Sequence, residues 1–308
     1  MQVDARPILV TGAHRTGTTW VGRLLAAERT IAYISEPLNV LHRSGVFRAK
    51  VPNWYTYICQ DNEHEYLPSF VELLSYRYHF AAELASIRSL HDLARMGRDL
   101  TIFASGRMRA QIPLLKDPFA VFSLRWFAET LKCRIVVTAR HPAAFASGLK
   151  RLNWSFDFDN FLRQPLLMRD HLEKYRGLIR SDEVADVIGQ AGLLWSIIYE
   201  TLQILKVSIP VLHIVRHEDL ALDPVDSFRQ LYSRLGLEYT GRAQRAITES
   251  SSSENPVELS GRSVHSVKLD SRASLNNWKH RLSADEIARL RKLTDGVAQL
   301  YSPEESWN

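Results

Sequence analysis

The stretch Ile8-Leu9-Val10-Thr11-Gly12-Ala13-His14-Arg15-Thr16-Gly17-Thr18-Thr19-Trp20 decides how this chain folds. A short apolar run ends in a glycine-bearing turn, and an amphipathic segment carrying Val21, Leu24 and Leu25 follows. Strand, glycine turn and helix in that order bring successive backbone N–H groups and a helix N-terminus around an anion. Gly12 and Gly17 keep the G-x-x-x-x-G spacing of a phosphate loop. The lysine expected after the second glycine is absent: Thr18 stands there, and the cation sits two residues before Gly17, as Arg15. The stretch reads as an anion loop whose positive charge has been moved.

Outward from this loop, three more apolar runs have strand length, at residues 112–115, 135–137 and 211–215. Neither they nor residues 8–10 alternate cleanly between apolar and polar, which suits strands buried on both faces. Each run is followed by helical spacing, at 18–27, 120–131, 143–149 and 224–235. Repeated strand-then-helix order predicts an α/β fold with a central parallel sheet flanked by helices, a three-layer, P-loop-like arrangement. Residues 41–100 are rich in aromatics and helical in period, and 157–207 read as two or three helices. Both are insertions, and insertions beyond the carboxyl ends of strands are natural walls for a substrate pocket. Residues 250–280 are polar and loop-like, and a helix is expected from Ser283, an N-cap with Glu286 three residues on.

Composition narrows the classes. The chain has 308 residues, with 45% hydrophobic and 24% charged residues, which excludes disordered, collagenous and coiled-coil chains. Cys59 and Cys133 are too few for a disulfide framework or a zinc site, so a reducing compartment, the cytoplasm, is expected. The segment 1–6 is polar and the apolar run after it is too short for a signal peptide. The longest apolar stretch, 192–205, is broken by Ser196, Glu200 and Gln203 and reads as a buried helix rather than a membrane span. A net charge of +5 with no Lys/Arg block gives no nucleic-acid footprint.

Arg15-Thr16-Gly17-Thr18-Thr19-Trp20 resembles the 5′-phosphosulfate loop of sulfotransferases that use 3′-phosphoadenylyl sulfate (PAPS). Three later segments carry the same resemblance. Residues 135–140 followed by His141-Pro142 resemble the family's strand ending in Arg-x-Pro. Arg216-His217-Glu218-Asp219-Leu220 with Asp223-Pro224 resembles its strand-and-helix element, and Asn277-Trp278-Lys279 its C-terminal Trp-Lys element. The marks run in order through nearly the whole chain, which implies one sulfotransferase domain over 1–308, with 250–280 as a loop covering the nucleotide.

The chemistry agrees with this resemblance. A sulfuryl group carries less negative charge than a phosphoryl group, so cationic side chains and backbone donors can stabilise its transfer. Phosphoryl-transfer loops rely on Lys and Mg²⁺ together. A displaced Arg15 without a carboxylate pair for Mg²⁺ therefore favours sulfuryl chemistry, and no metal is expected. The resemblance implies Arg15 on the oxygen bridging phosphate and sulfate, and Thr16, Gly17, Thr18 and Thr19 around the 5′-phosphate. Trp20 either packs on adenine or faces the core. Arg140 is implied for the 3′-phosphate. The family's partner serine would fall eight residues later, at Gly148, so either Ser147 or the backbone of Gly148 takes that part. The resemblance implies Arg272, six residues before Trp278, as a second clamp for the 3′-phosphate, with Ser271 a further candidate beside it.

Attack on sulfur needs a base for the acceptor hydroxyl. One branch of the family uses a His after the second family strand, but here that segment is Leu115-Lys116-Asp117-Pro118-Phe119. A second branch, which includes the tyrosylprotein sulfotransferases, has an Arg loop, Lys-Asp-Pro-Phe and a base Glu roughly twenty residues past the loop Arg. Glu36 follows Arg15 by 36 − 15 = 21 residues, which makes Glu36 the expected base and Lys116 a second cation on the leaving phosphate. Asp117 is the alternative base, or a cap for the helix starting at Pro118. His14, His42, His141 and His217 have no metal spacing and read as structural. The aromatics Trp54, Tyr55, Tyr57, Tyr66, Phe70, Tyr76, Tyr78 and Phe80 suit either a sugar or phenol acceptor or a packed core. The expected activity is in-line transfer of a sulfuryl group from PAPS to a hydroxyl of a carbohydrate or small molecule. An ATP-dependent P-loop kinase and a non-catalytic nucleotide-binding module are the alternatives.

Overall fold

The computed structural model describes residues 4–258, 268–302 and 304–307. Its centre is a sheet of five strands, β1 (Ile8–Gly12), β2 (Ile31–Ser35), β3 (Ile112–Lys116), β4 (Arg134–Ala139) and β5 (Leu212–Arg216). The spatial order is β2-β3-β1-β4-β5 and every pairing is parallel. Four strands fall where the sequence predicts them. The fifth, β2, has no counterpart in that reading. Its five residues occupy a sheet edge, and Tyr33 and Ser35 on it are less buried than their neighbours, so the apolar run that marks a buried strand is interrupted.

Burial on both faces explains the missing alternation. Ile8 and Val10 join a cluster with Val21, Leu24, Leu114, Val136 and Phe228. Leu9 joins the opposite cluster with Leu115, Ile135, Val137, Phe145 and Trp195. Successive strand residues point to opposite sides of a sheet, so a strand covered on both sides must be apolar throughout. Each buried Leu, Ile or Val contributes about 1.5–3 kcal/mol relative to exposure. The helix Val187–Lys206 supplies much of one layer: Leu193, Leu194, Trp195, Ile197, Ile198 and Tyr199 are all buried, as the 192–205 stretch foretells.

Helices follow the expected strands with adjusted ends. Thr18–Leu25 follows β1, Pro142–Leu152 follows β4 and Pro224–Arg234 lies beyond β5. After β3 the expected helix is split into a 3-10 segment, Pro118–Ser123, and a short α-helix, Leu124–Glu129. Ser283 caps the helix Ala284–Ala298 in a reciprocal capping box with Glu286.

The first insertion is helical only in part, over Glu63–Leu74, Phe80–Ser86 and Leu90–Met108. The segment 53–62 is irregular because side chains take the place of a backbone ladder. The amides of Trp54, Tyr57, Ile58 and Cys59 donate to Asn160 Oδ1 (3.0 Å), Gln164 Oε1 (2.8 Å), Ser123 Oγ (2.9 Å) and Asn62 Oδ1 (2.8 Å). A buried backbone N–H must find a partner, and these acceptors satisfy it without a helix. Of the region 250–280, residues 259–267 lie outside the described residues. The rest is partly helical, with Ser250 and Ser251 closing the helix Gly241–Ser251 and helical turns at Ala273–Asn276 and Asn277–Arg281.

The register sets the site. Gly12 pairs with Thr138, Val10 with Lys116, and Ser35 with Lys116. The carboxyl ends of β1, β2, β3 and β4 therefore lie side by side, and with them the glycine loop, Glu36, Lys116 and Arg140. Such an edge, where chain connections depart to both sides of a central strand, is the crevice in which parallel sheets bind ligands.

Candidate active site

The glycine loop is held by close contacts that admit no side chain at its two glycines. Gly12 has φ +140°, and a Cβ there would lie 2.5 Å from Thr138 O. Gly17 has φ +95°, and a Cβ would lie 2.6 Å from His217 Nδ1. These conformations favour glycine. Thr16 is fully buried, and its hydroxyl is engaged with Ala13 O (2.5 Å) and Thr138 Oγ1 (2.7 Å). The Thr16 hydroxyl is thus turned inward and does not line the cavity, contrary to its expected contact with phosphate. Gly17, Thr18, Thr19 and Trp20 do line it.

That cavity lies beyond β1 and β4 and collects positive charge. Arg15, Arg140, Arg151 and Arg281 line it, together with Ser147, Gly148, His217, Ser271 and Trp278. Arg140 Nη1 donates to Arg15 O at 2.9 Å, and the Arg140 carbonyl accepts from Trp195 Nε1 at 2.8 Å. Arg140 Nε is buried and has no hydrogen-bond partner among the described residues. Burial lowers the Arg140 pKa from its ordinary value. Burial, together with the guanidinium groups of Arg140 and Arg151, pushes Arg15 down to about 10. Guanidinium groups crowded in a partly dry cavity repel one another, and a polyanion would relieve that cost.

Ser147 Oγ accepts from Arg281 Nη1 at 3.3 Å, so Ser147 and Arg281 meet at the cavity wall. Gly148 lies next to Arg15, whose Cβ would be 3.8 Å from an added methyl group. Ser271 reaches the wall, but its hydroxyl donates to Ala221 O at 2.8 Å. Arg272 is not brought to the cavity: it is exposed and its Nε donates to Leu222 O at 2.8 Å. Arg281 and Arg151 are the cavity arginines that the motif reading missed. Both were signalled by spacing. Arg281 follows Asn277, and Arg151 follows Ser147, by four residues on a helical turn, so each pair shares a face. Trp20 faces the core and also reaches the cavity wall. It is 9% exposed, packs edge-on against His217 and Phe228, and bonds Ser250 Oγ through Nε1 at 3.1 Å, while lining the cavity.

The second group of residues lies at the ends of β2 and β3. Glu36 Oε1 forms an ion pair with Lys116 Nζ, and Glu36 Oε2 accepts from Asn39 Nδ2 at 2.7 Å. The Glu36 amide donates to Lys116 O at 2.7 Å, continuing the β2–β3 pairing by one residue. Lys116 is buried and is directed to Glu36; neither residue lines the arginine-rich cavity. Glu36 has φ +53° and Arg15 φ +69°, strained backbone for side-chain-bearing residues and a feature that gathers at functional sites. Asp117 is fully buried, and its oxygens accept from Leu38 N (2.6 Å) and Phe119 N (3.0 Å). Burial pushes it up to about 7, with Glu36 adding to the rise. It caps the Pro118–Ser123 segment, the second of its two expected roles.

Most of the aromatics are core. Tyr55 and Phe70 are fully buried and Tyr57, Tyr66 and Tyr76 nearly so, whereas Phe80 is exposed. Trp154, 43% exposed, lies with its ring 5.8 Å from the Arg15 guanidinium carbon. Cys59 and Cys133 are free thiols. No helix among the described residues is long and apolar enough to cross a membrane.

The profile of the sulfotransferase family matches residues 7–241. The sulfotransferase domain from the Synechococcus PCC 7002 olefin synthase superposes with a TM-score of 0.52 at 15% identity, covering 99% of each chain. Sulfotransferase STF9 from Mycobacterium avium gives a TM-score of 0.47 at 14% identity, covering 99% of this chain and 78% of that one. Mouse sulfotransferase SULT7A1, solved in complex with PAP, gives 0.45 at 10% identity, covering 98% and 87%. No curated protein matches the sequence.

Proposed function

The chain belongs to the sulfotransferase family, and from that premise we propose that it moves the sulfuryl group of PAPS to a hydroxyl of a carbohydrate or other small molecule in the cytoplasm, the chain acting as one domain. Sulfuryl transfer is the family's chemistry; the donor, the acceptor class and the residue roles are our reading. The observation that carries it is the buried Arg140 at the end of β4, with an unpartnered Nε, among the other cavity arginines. A nucleotide bearing phosphates at both 3′ and 5′ positions supplies the anions such a cavity requires.

In this reading the 5′-phosphate is held by the Gly17–Thr19 amides and the hydroxyls of Thr18 and Thr19, at the N-terminus of the helix Thr18–Leu25. Arg140, Ser147 and Arg281 take the 3′-phosphate, and Trp20 and His217 border the base. Arg15 sits at the bridging oxygen, where negative charge develops as the S–O bond breaks. Glu36 removes the acceptor proton. Its bonds to Lys116 and Asn39 fix the carboxylate, and we assign Lys116 to orienting Glu36 in place of a contact with the leaving phosphate.

Incubation with labelled PAPS and a panel of sugars, phenols and aliphatic alcohols tests the reading. Label should pass to at least one hydroxyl compound with release of adenosine 3′,5′-bisphosphate, and Glu36→Gln should suppress transfer while retaining bisphosphate binding. Phosphoryl transfer from ATP, or an undiminished Glu36→Gln enzyme, would overturn it.

A further inference from the structure

His14 precedes Arg15 in the glycine loop. Tyr55 is fully buried, and its hydroxyl accepts the His14 backbone N–H at 3.4 Å and lies 2.8 Å from His14 Nδ1. A buried hydroxyl must give its proton to some acceptor. Among the described residues Nδ1 is the acceptor in reach of that hydroxyl, an arrangement that assigns the proton of the neutral ring to Nε2. Phe119 stacks on the ring with centroids 6.4 Å apart, and Phe145 meets it edge-on at 5.7 Å. The charged groups whose fields act on the ring are Arg15 and Glu36. Burial and Arg15 push its pKa down to about 4, so it stays neutral near pH 7. The residue that fixes the tautomer is itself strained. Tyr55 has φ +59°, so the residues that take up positive φ here include Arg15, Glu36 and the partner of His14.

In the proposed reaction Arg15 meets the leaving oxygen and Glu36 the attacking oxygen, and the sulfur lies between them. We propose that His14 donates its Nε2–H to a non-bridging oxygen of the sulfuryl group in transit, as a fixed, uncharged hydrogen-bond donor. The inference rests on the assignment of Arg15 and Glu36 above. Bond changes are those of the transfer itself: the acceptor oxygen bonds sulfur, its proton goes to Glu36, and the S–O bond to the bisphosphate breaks with its electron pair on the leaving phosphate. His14 neither gains nor loses a proton. A neutral donor suits this position, because a hydrogen bond that strengthens as charge develops on the oxygens lowers the barrier, while Nδ1 bound to a hydroxyl cannot turn the ring into a competing base.

Two substitutions separate the ring nitrogens. His14→Gln places an amide N–H near the position of Nε2, and His14→Asn places one near Nδ1. The readout is bisphosphate released from PAPS, with 4-nitrophenol or water as acceptor, alongside the melting temperature with and without adenosine 3′,5′-bisphosphate. Expected are a fall in kcat of about 10²-fold or more for His14→Asn, a fall of less than about tenfold for His14→Gln, and the same bisphosphate-induced rise in melting temperature for both. Equal rates for the two variants, or an enzyme with His14→Ala as fast as the parent, would overturn the assignment. Nitrogen NMR of ¹⁵N-histidine-labelled protein gives a second test that needs no turnover. His14, identified by loss of its signals in His14→Gln, should be the neutral Nε2–H tautomer at pH 7 and should become a mixture of tautomers in Tyr55→Phe. An Nδ1–H ring or an imidazolium would contradict the proposal. An inactive Glu36→Gln enzyme beside a fully active His14→Asn enzyme removes the role of His14 alone; an active Glu36→Gln enzyme removes the reading on which it rests.

Discussion

The two ends of the site are built from opposite materials. Beyond β1 and β4, the proposed nucleotide end is a cavity of guanidinium groups, hydroxyls and backbone amides, with Arg140 Nε buried and without a hydrogen-bond partner among the described residues. Beyond β2 and β3, the proposed acceptor end has its charges already paired: Glu36 with Lys116 and Asn39, and Asp117 with two backbone amides. The first end concentrates positive charge in a form suited to an anion. The second is complete as it stands and holds one carboxylate ready. Removing a residue should therefore cost binding at one end, and turnover or stability at the other.

The largest effect is expected at Glu36. Glu36→Gln should lower kcat by about 10²–10⁴-fold, the usual scale for a lost general base, with bisphosphate affinity nearly unchanged in calorimetry. A matching loss of affinity would erase the division between the two ends. Next is Arg140→Ala. Truncating a buried, charge-assisted contact costs about 2–5 kcal/mol, so the dissociation constant of the bisphosphate should rise by at least about 30-fold, as measured by titration.

Asp117 sharpens the contrast inside the acceptor end. Asp117→Asn leaves a buried amide without its acceptor and should lower unfolding free energy by about 1–3 kcal/mol in denaturant titration, with less loss of kcat than Glu36→Gln. Stability should also depend on pH in opposite senses at two residues. His14 is held near 4 and Asp117 near 7, against about 6.5 and 3.9 in an unfolded chain. The unfolded state thus binds the extra proton at His14 between these values, and that contribution to stability is lost as pH falls from about 6.5 to 4. The folded state binds it at Asp117, whose contribution grows as pH falls from about 7 to 4. The gap in melting temperature between parent and His14→Gln should narrow over that range, and the gap between parent and Asp117→Asn should widen. The smallest effect is expected from Arg272→Ala, since Arg272 is exposed and bonded to Leu222 O. Arg281→Ala, at the cavity wall, should weaken bisphosphate binding more.

How far the sequence could be read follows the same division. The glycine loop, four of the strands and the position of Arg140 were legible because each is local: glycines at fixed spacing, apolar runs, a cation at a strand end. Glu36 was legible only through resemblance, because β2, which carries it to the site, is an edge strand whose pattern is interrupted by Tyr33 and Ser35. Arg281 reaches the cavity wall where Arg272 does not, and its spacing from Asn277 becomes a signal only once residues 277–281 are known to form a helical turn. The inward turn of Thr16 depends on Thr138, a residue 122 positions away. The irregular course of 53–62 depends on side-chain acceptors at Ser123, Asn160 and Gln164, far along the chain. Helical period in an aromatic segment does not reveal such partners.

In the proposed reaction the arginine-rich cavity recognises a 3′-phosphate through Arg140. Calorimetric titration of the parent and Arg140→Ala with adenosine 3′,5′-bisphosphate and with adenosine 5′-monophosphate, both without Mg²⁺, tests it most directly. The parent should bind the bisphosphate far more tightly than the monophosphate, and Arg140→Ala should bind the two about equally. A parent that does not discriminate between them, or an Arg140→Ala variant that still does, would contradict it.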